Sequence, residues 1–313
     1  MGLLSKIFGE KDAVPTSDIA DDDIGIGSQF ITVPSRSFFG PSCKSPNGRY
    51  TLVWVDGGPD QARQGRWLLL DTGKVVAEGQ MPRPNDGKVT NSGIFILNDW
   101  GAVETLAGTL AAFAPDGKLI FKRSFQANLY NNGLSDDGRW AACQTANAPH
   151  EDGGRLFIFD LEARQQIGAF QPESGWAKDY TFSADGQIIT LGYHDGGRFA
   201  YRIDGTFLDR SLWLASGLQG GDLMIIERIL SETGGKPSGN LISLLLPAID
   251  RALDSERYKD PKSQARAYRL RGTCFDAAGD LPKAAAAYED ALACDAKVGV
   301  KRRLEQIRRL APD

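Results

Sequence analysis

Over roughly the first two-thirds of the chain, apolar and polar residues alternate in short runs separated by Gly, Asn, Asp and Ser. The clearest runs are Arg49-Tyr-Thr-Leu-Val-Trp-Val55, Ile94-Phe-Ile-Leu97, Arg139-Trp-Ala-Ala-Cys143 and Gln187-Ile-Ile-Thr-Leu191. Their length and period of two predict β-strands. Each follows a turn of one type: Ser45-Pro-Asn-Gly48, Thr90-Asn-Ser-Gly93, Ser135-Asp-Asp-Gly138 and Ser183-Ala-Asp-Gly186. The closing glycines are 45, 45 and 48 residues apart. Asn-Gly and Asp-Gly favour tight hairpins, because Gly takes positive φ freely and Asn or Asp tolerates it.

A second turn recurs at a near-constant offset: Asp71-Thr-Gly73, Pro115-Asp-Gly117, Asp160-Leu-Glu-Ala-Arg164 and Ile203-Asp-Gly205. Apolar runs such as Arg66-Trp-Leu-Leu-Leu70 and Arg155-Leu-Phe-Ile-Phe159 precede it, opened by Gly65-Arg66, Gly154-Arg155 and Gly197-Arg198. Each unit therefore predicts four antiparallel strands, the content of one propeller blade. On these turns and this repeat length, residues 35–215 resemble the WD40-like and related β-propeller families. The Trp-Asp dipeptide and Gly-His pair of those families are missing. Four blade-like repeats and one extra strand at Ser28–Pro34 fit a closed four-bladed ring, a five-bladed ring with one degenerate blade, or an open array. The extra strand is expected to pair with the C-terminal blade if it closes a ring.

After Gly217 the spacing becomes helical, with helices predicted at Asp222–Glu232, Asn240–Ser255, Ser263–Ala278, Leu281–Cys294 and Val298–Leu310. In residues 265–298, Tyr268, Gly272, Phe275, Gly279, Ala284, Tyr288 and Ala291 fall in the pattern of a tetratricopeptide repeat, which this segment resembles. Arg271 and Ala296 depart from it. The resemblance implies two antiparallel helices brought close at Gly272 and Ala284, and a last helix serving as a solvated cap. The predicted organisation is a terminal peptide and acidic linker (1–27), a β-propeller-like repeat domain (28–218) and a tetratricopeptide-like helical domain (219–313).

Composition changes this picture little. A length of 313 residues suits about two domains, and a net charge of -4 does not point to nucleic acid. Cys43, Cys143, Cys274 and Cys294 form no CxxC pair, and with two histidines they make no zinc pattern. They read as reduced thiols of a cytoplasmic protein. No run approaches the ~18 apolar residues of a membrane span. Leu3, Leu4, Ile7 and Phe8 share one helical face, so residues 2–8 are either a frayed terminus or a peptide that docks on protein or weakly on a membrane surface. Residues 9–27, with Asp18, Asp21, Asp22 and Asp23, read as a solvated linker.

The chain holds no phosphate loop, dinucleotide fingerprint, metalloprotease helix or nucleophile elbow. His150 and His194 occupy equivalent Asp-Gly-Gly turns in adjacent repeats and read as turn residues rather than metal ligands. No catalytic, cofactor-binding or metal-binding residue is expected. Trp100 and Trp176 lie beside glycines in predicted loops and are candidates for a partner-binding surface. Arg302, Arg303 and Arg309 on the last helix are further candidates, read alternatively as the polar face of a cap. The expected function is a non-enzymatic scaffold or adaptor for another protein. The alternatives are an enzyme or small-ligand binder at the mouth of the β domain, and a membrane-surface accessory docked through residues 2–8.

Overall fold

The recurring hairpin is built the same way in three repeats. Ser135 Oγ donates to Asp137 Oδ1 at 2.5 Å and accepts from the Trp140 amide at 2.8 Å, while the Arg139 amide donates to the same carboxylate at 3.0 Å. Ser45 with Asn47, and Ser183 with Asp185, repeat these bonds at 2.8 and 2.6 Å. The next residue must turn left-handed, and Gly138 does so at φ 77°. In the second repeat Thr90 and Ser92 share a hydroxyl hydrogen bond of 2.8 Å instead. Adjacent turns are also tied, since the Asn47 amide donates to Asn91 Oδ1 at 2.8 Å.

This computed structural model describes residues 29–58, 64–101 and 106–310; the expectations for residues 2–8 and 9–27 lie outside them. The chain divides into two compact units, residues 1–153 with 161–165, and residues 154–160 with 166–313.

In the first unit, β1 (Gln29–Val33), β2 (Phe38–Lys44), β3 (Tyr50–Val55), β4 (Gly65–Asp71) and β5 (Lys74–Met81) form one antiparallel sheet in chain order. The extra strand thus pairs with β2, Val33 opposite Phe38, and makes the first sheet five-stranded instead of joining the last one. A second antiparallel sheet contains β6 (Pro84–Val89), β7 (Phe95–Asp99), β8 (Gly108–Phe113) and β9 (Leu119–Phe125). The third repeat opens with the pair β10 (Leu129–Leu134) and β11 (Trp140–Thr145). The first two sheets share a core in which Trp67 lies 5.0 Å from Phe95 and 5.1 Å from Phe113. Such close aromatic pairs add to the burial that drives sheet packing. Trp54, Trp67 and Trp140 are buried, as strand positions predict.

The second unit contains β12 (Leu156–Asp160), all but the first residue of β13 (Gln165–Phe170) and a sheet of only three strands: β14 (Asp179–Phe182), β15 (Ile188–Gly192) and β16 (Arg198–Arg202). A fourth strand was expected there. The segment after Gly205 makes only a bridge, Tyr201 to Phe207, because the chain is drawn into a helix at Arg210. The Asp209 carboxylate accepts the Ala200 amide at 2.8 Å, so it covers the sheet edge and makes no cap bond to that helix.

Six helices are described: α1 (Arg210–Gln219), α2 (Leu223–Glu232), α3 (Gly239–Asp254), α4 (Pro261–Ala277), α5 (Leu281–Cys294) and α6 (Lys301–Leu310). The sequence places five of these to within a few residues and misses α1. Gly217, expected to break the chain, instead admits a neighbour: a Cβ there would lie 1.9 Å from Ile225 Cδ1. Asp222, Asp260 and Asp280 cap α2, α4 and α5 through their carboxylates. Phe199 of β16 and Trp213 of α1 share one core with Ile225, Leu245, Ile249 and Leu270 of α2, α3 and α4. In the α4–α5 hairpin a Cβ on Gly272 would meet the Tyr288 ring at 2.5 Å, and Ala284 and Ala291 are fully buried.

Two outcomes follow from this packing. Gly272→Leu forces the Tyr288 ring away and lowers stability by about 1–3 kcal/mol or more, read from denaturant melts of the full chain; an unchanged midpoint contradicts the close approach. A fragment spanning 28–218 exposes Phe199 and Trp213, which α2–α4 otherwise cover, and is expected to aggregate. A soluble fragment with its own cooperative melt would show that the shared core is dispensable.

Candidate interaction surface

The helices of the second unit are linked by a series of ion pairs. Glu173, in the loop before β14, accepts from Arg210 Nε of α1 at 2.9 Å and lies 2.8 Å from Arg228 Nε of α2. Arg210 also reaches Glu232 of α2, which lies 3.6 Å from Arg228. One turn away, Glu227 of α2 accepts from both Arg266 and Arg269 of α4. Asp276 of α4 takes a two-pronged bond from Arg303 of α6, with Nε and Nη2 each 2.6 Å from a carboxylate oxygen. The series therefore runs from the loop through α1, α2 and α4 to α6.

Burial pushes the carboxyls of Glu173 and Glu227 up, but the opposing guanidinium groups outweigh it. The hydrogen bond from Arg210, with the charges of Arg228 and Arg210, holds Glu173 below the usual carboxylate range. Arg266 and then Arg269 do the same for Glu227. The hydrogen bond to Asp276 raises Arg303 in turn.

The outer face of α2 presents Met224, Glu227, Arg228, Ser231 and Glu232 along one shallow depression, and Met224 is 51% exposed. The helical period places these residues on one stripe, three and four apart. The loop before β14 carries Trp176, 43% exposed. Ser174 anchors that loop: its amide donates to Tyr201 Oη at 3.0 Å, and its hydroxyl bonds Tyr193 Oη at 2.5 Å and Tyr201 Oη at 2.7 Å. Burial, first of several causes, raises both phenols, so they stay protonated.

The arginines singled out on α6 separate into two kinds. Arg303 is consumed by Asp276, whereas Arg302 and Arg309 are exposed and make no ion pair among the described residues. Their neighbour Arg308 pairs with Glu289 at 2.7 Å. In the first unit Trp100 is 39% exposed, but its indole N–H is committed to the Leu129 carbonyl at 3.0 Å.

His150 and Asp152 are engaged locally. His150 Nδ1 accepts the Asp152 amide at 3.2 Å, and the Asp152 carboxylate accepts from Arg123 at 3.1 Å and from the Gln126 amide at 2.9 Å. His194 lies in the exposed turn closed by the Gly196 amide on the Tyr193 carbonyl at 3.1 Å. Among the described residues no cluster of three His, Cys, Asp or Glu is placed to hold a metal ion. All four cysteines are free thiols, with Cys43 and Cys294 only partly buried. Burial pushes Cys43 and Cys274 up to about 12, so both remain protonated. No helix among the described residues is long and apolar enough to cross a membrane.

No family model and no curated protein matches the chain. Among solved structures it is similar to the C-terminal WD40 domain of Sif2, at 12% identity and a TM-score of 0.37, over 53% of this chain and 47% of that one. The match thus spans about half of that chain.

The depressed carboxyls give the helical series a defined pH response. Its contribution to stability is present at neutral pH, above the ordinary glutamate value of 4.5, and is lost as pH falls through the lower folded-state values of Glu173 and Glu227. Melting temperatures of the wild type and of Glu173→Gln/Glu227→Gln are therefore expected to differ at pH 7 and to converge only as pH falls through the depressed folded-state values of the two glutamates. A constant difference across that range contradicts the assignment.

Proposed function

We propose that the protein is a scaffold or adaptor that holds another protein, with the α2 face and the Trp176 loop as its principal contact surface. The observation that carries this reading is the exposed Met224 in a stripe whose charges are already fixed by neighbouring elements. A partner meeting such a surface orders few side chains on binding, which lowers the entropic cost. Methionine, tryptophan and arginine are also the residue types enriched in interface cores.

Finer features belong to the same reading. The blade-like sheets are a WD40-like propeller, closed or open, and α2–α6 are tetratricopeptide-like, with α4–α5 as one repeat and α6 as the cap. Gly272 against Tyr288 supports the repeat assignment, and the apolar inner faces of Leu304 and Ile307 support the cap. Arg302 and Arg309 on α6, and Trp100 on the first unit, are further and separate candidate contact points. The protein acts in the cytoplasm, without cofactor, on a protein partner rather than nucleic acid. A propeller offers loops at its mouth and helical repeats offer a groove, so one chain presents two surfaces.

Affinity capture of the tagged full chain from its own cells is expected to recover a stoichiometric protein partner. Met224→Glu should reduce that recovery about ten-fold or more, since a charge at an interface centre is left unpaired when buried. The reading fails if the bare chain is recovered repeatedly, or if the partner is retained undiminished by a folded Met224→Glu protein.

A further inference from the structure

We propose that Arg83, backed by the Trp100 ring, is a carboxylate-binding point on the first unit. The residue is held from both sides. Its amide donates to Asp99 Oδ1 at 2.9 Å, and its carbonyl accepts the Trp100 amide at 3.1 Å. Its guanidinium carbon lies 5.7 Å from the centroid of the Trp100 ring. That ring is fixed in turn by the bond from its indole N–H to the Leu129 carbonyl. With the Asn85 carboxamide turned to satisfy both its ends, Asn85 Oδ1 accepts from the same indole at 2.9 Å.

The bonding capacity of this arginine is only partly used. Nε donates to Asp56 Oδ2 at 3.3 Å, and the two terminal amino groups have no protein partner among the described residues. The side chain is only 15% exposed, so few waters surround it. A guanidinium has five donors in a rigid fork, and the two terminal nitrogens match the two oxygens of a carboxylate. The half-exposed Trp100 ring beside it suits the short carbon stem that a carboxylate carries.

Among the described residues two acidic groups nearby, Asp99 and Asp56, oppose an incoming anion, and each is already engaged. Asp99 Oδ1 takes the amides of both Arg83 and Gly101. Asp56 Oδ1 takes the Gly58 amide, and its other oxygen meets the Nε edge of Arg83, leaving the far edge without a protein partner among the described residues. Elsewhere in the same protein Arg210 holds two carboxylates, Glu173 and Glu232. One carboxylate on a guanidinium therefore leaves room for a second. The ligand is a carboxylate with a short apolar stem, either a free small acid or the chain terminus of a protein partner. Only the second source rests on the scaffold reading.

The test uses the full chain with its six tryptophans replaced by 5-fluorotryptophan, the Trp100 resonance being assigned from Trp100→Phe. Sodium acetate is expected to move that resonance saturably, with sodium chloride at equal ionic strength moving it little. Arg83→Gln should abolish the acetate shift. Arg83→Lys, which keeps the charge and loses the fork, should weaken it about ten-fold or more. Acetyl-trialanine with a free carboxylate is the second probe. Binding about ten-fold tighter than acetate, lost in its amide, identifies a chain terminus, whereas equal binding identifies a small acid. Either result supports the site, and the capture experiment above can fail without affecting it. The proposal is overturned if acetate and chloride act alike, or if the acetate shift survives Arg83→Gln. Should Arg83→Gln fail to fold, an unchanged affinity in Arg83→Lys overturns it equally.

Discussion

The second unit depends on one aromatic seam. Tyr201 of β16 stacks on Phe207 at 4.1 Å with ring planes 14° apart, Phe170 stacks on the same tyrosine at 5.3 Å, and Phe207 lies 5.6 Å from Trp213 of α1. Phe207 stands where a fourth strand would run. By stacking on Tyr201 instead of extending a ladder, it turns the chain from sheet into helix within a few residues. Asp209 then covers the remaining edge amide. The helices thus begin inside the core that closes the last sheet, which is why Phe199 shares that core with α2–α4.

Magnitudes separate the roles of this seam and the ion pairs beside it. Burying an aromatic side chain is worth about 1.5–3 kcal/mol, and close ring pairs add about 0.5–1.5 kcal/mol. A solvent-exposed ion pair contributes about 0–1 kcal/mol. The seam and the apolar core therefore decide that the helices assemble on the sheet. The Glu173, Glu227 and Asp276 pairs add little to that, but each requires its two elements to stand in one register. A surface built this way is stabilised by its core and aligned by its charges.

The repeats were legible because their turns are local chemistry. Ser135, Asp137 and Gly138 interact within six residues of one another, so spacing alone exposes the pattern. The third-repeat turn also shows the limit of glycine as a marker, since Arg164 takes the left-handed position at φ 56° that Gly73, Gly117 and Gly205 fill elsewhere. What the sequence hid was set by distant partners. Gly217 reads as a break until Ile225 is seen against it. Strand β1 reads as a closure strand until its register with β2 is known. Arg303 resembles Arg302 in sequence and differs only because Asp276, 27 residues away, faces it. Arg83 carries no motif and becomes notable only through Trp100 and the unused edge of its guanidinium.

Across the described chain, groups with catalytic potential are mostly spent on structure. His150 Nδ1 is occupied by a backbone amide, Ser174 bonds two phenols, and burial keeps Cys43 and Cys274 protonated. A nucleophile needs an adjacent base and an open approach, and Ser174 has phenols raised by burial in place of a base. Capacity left over lies instead with long, adaptable side chains near the surface: Arg83, Arg302, Arg309 and Met224. Side chains of this kind offer bidentate hydrogen bonds, charge and polarizable contact. In the scaffold proposed above, each unit offers its own contact points, and a partner that engages more than one of them gains affinity without a deep pocket.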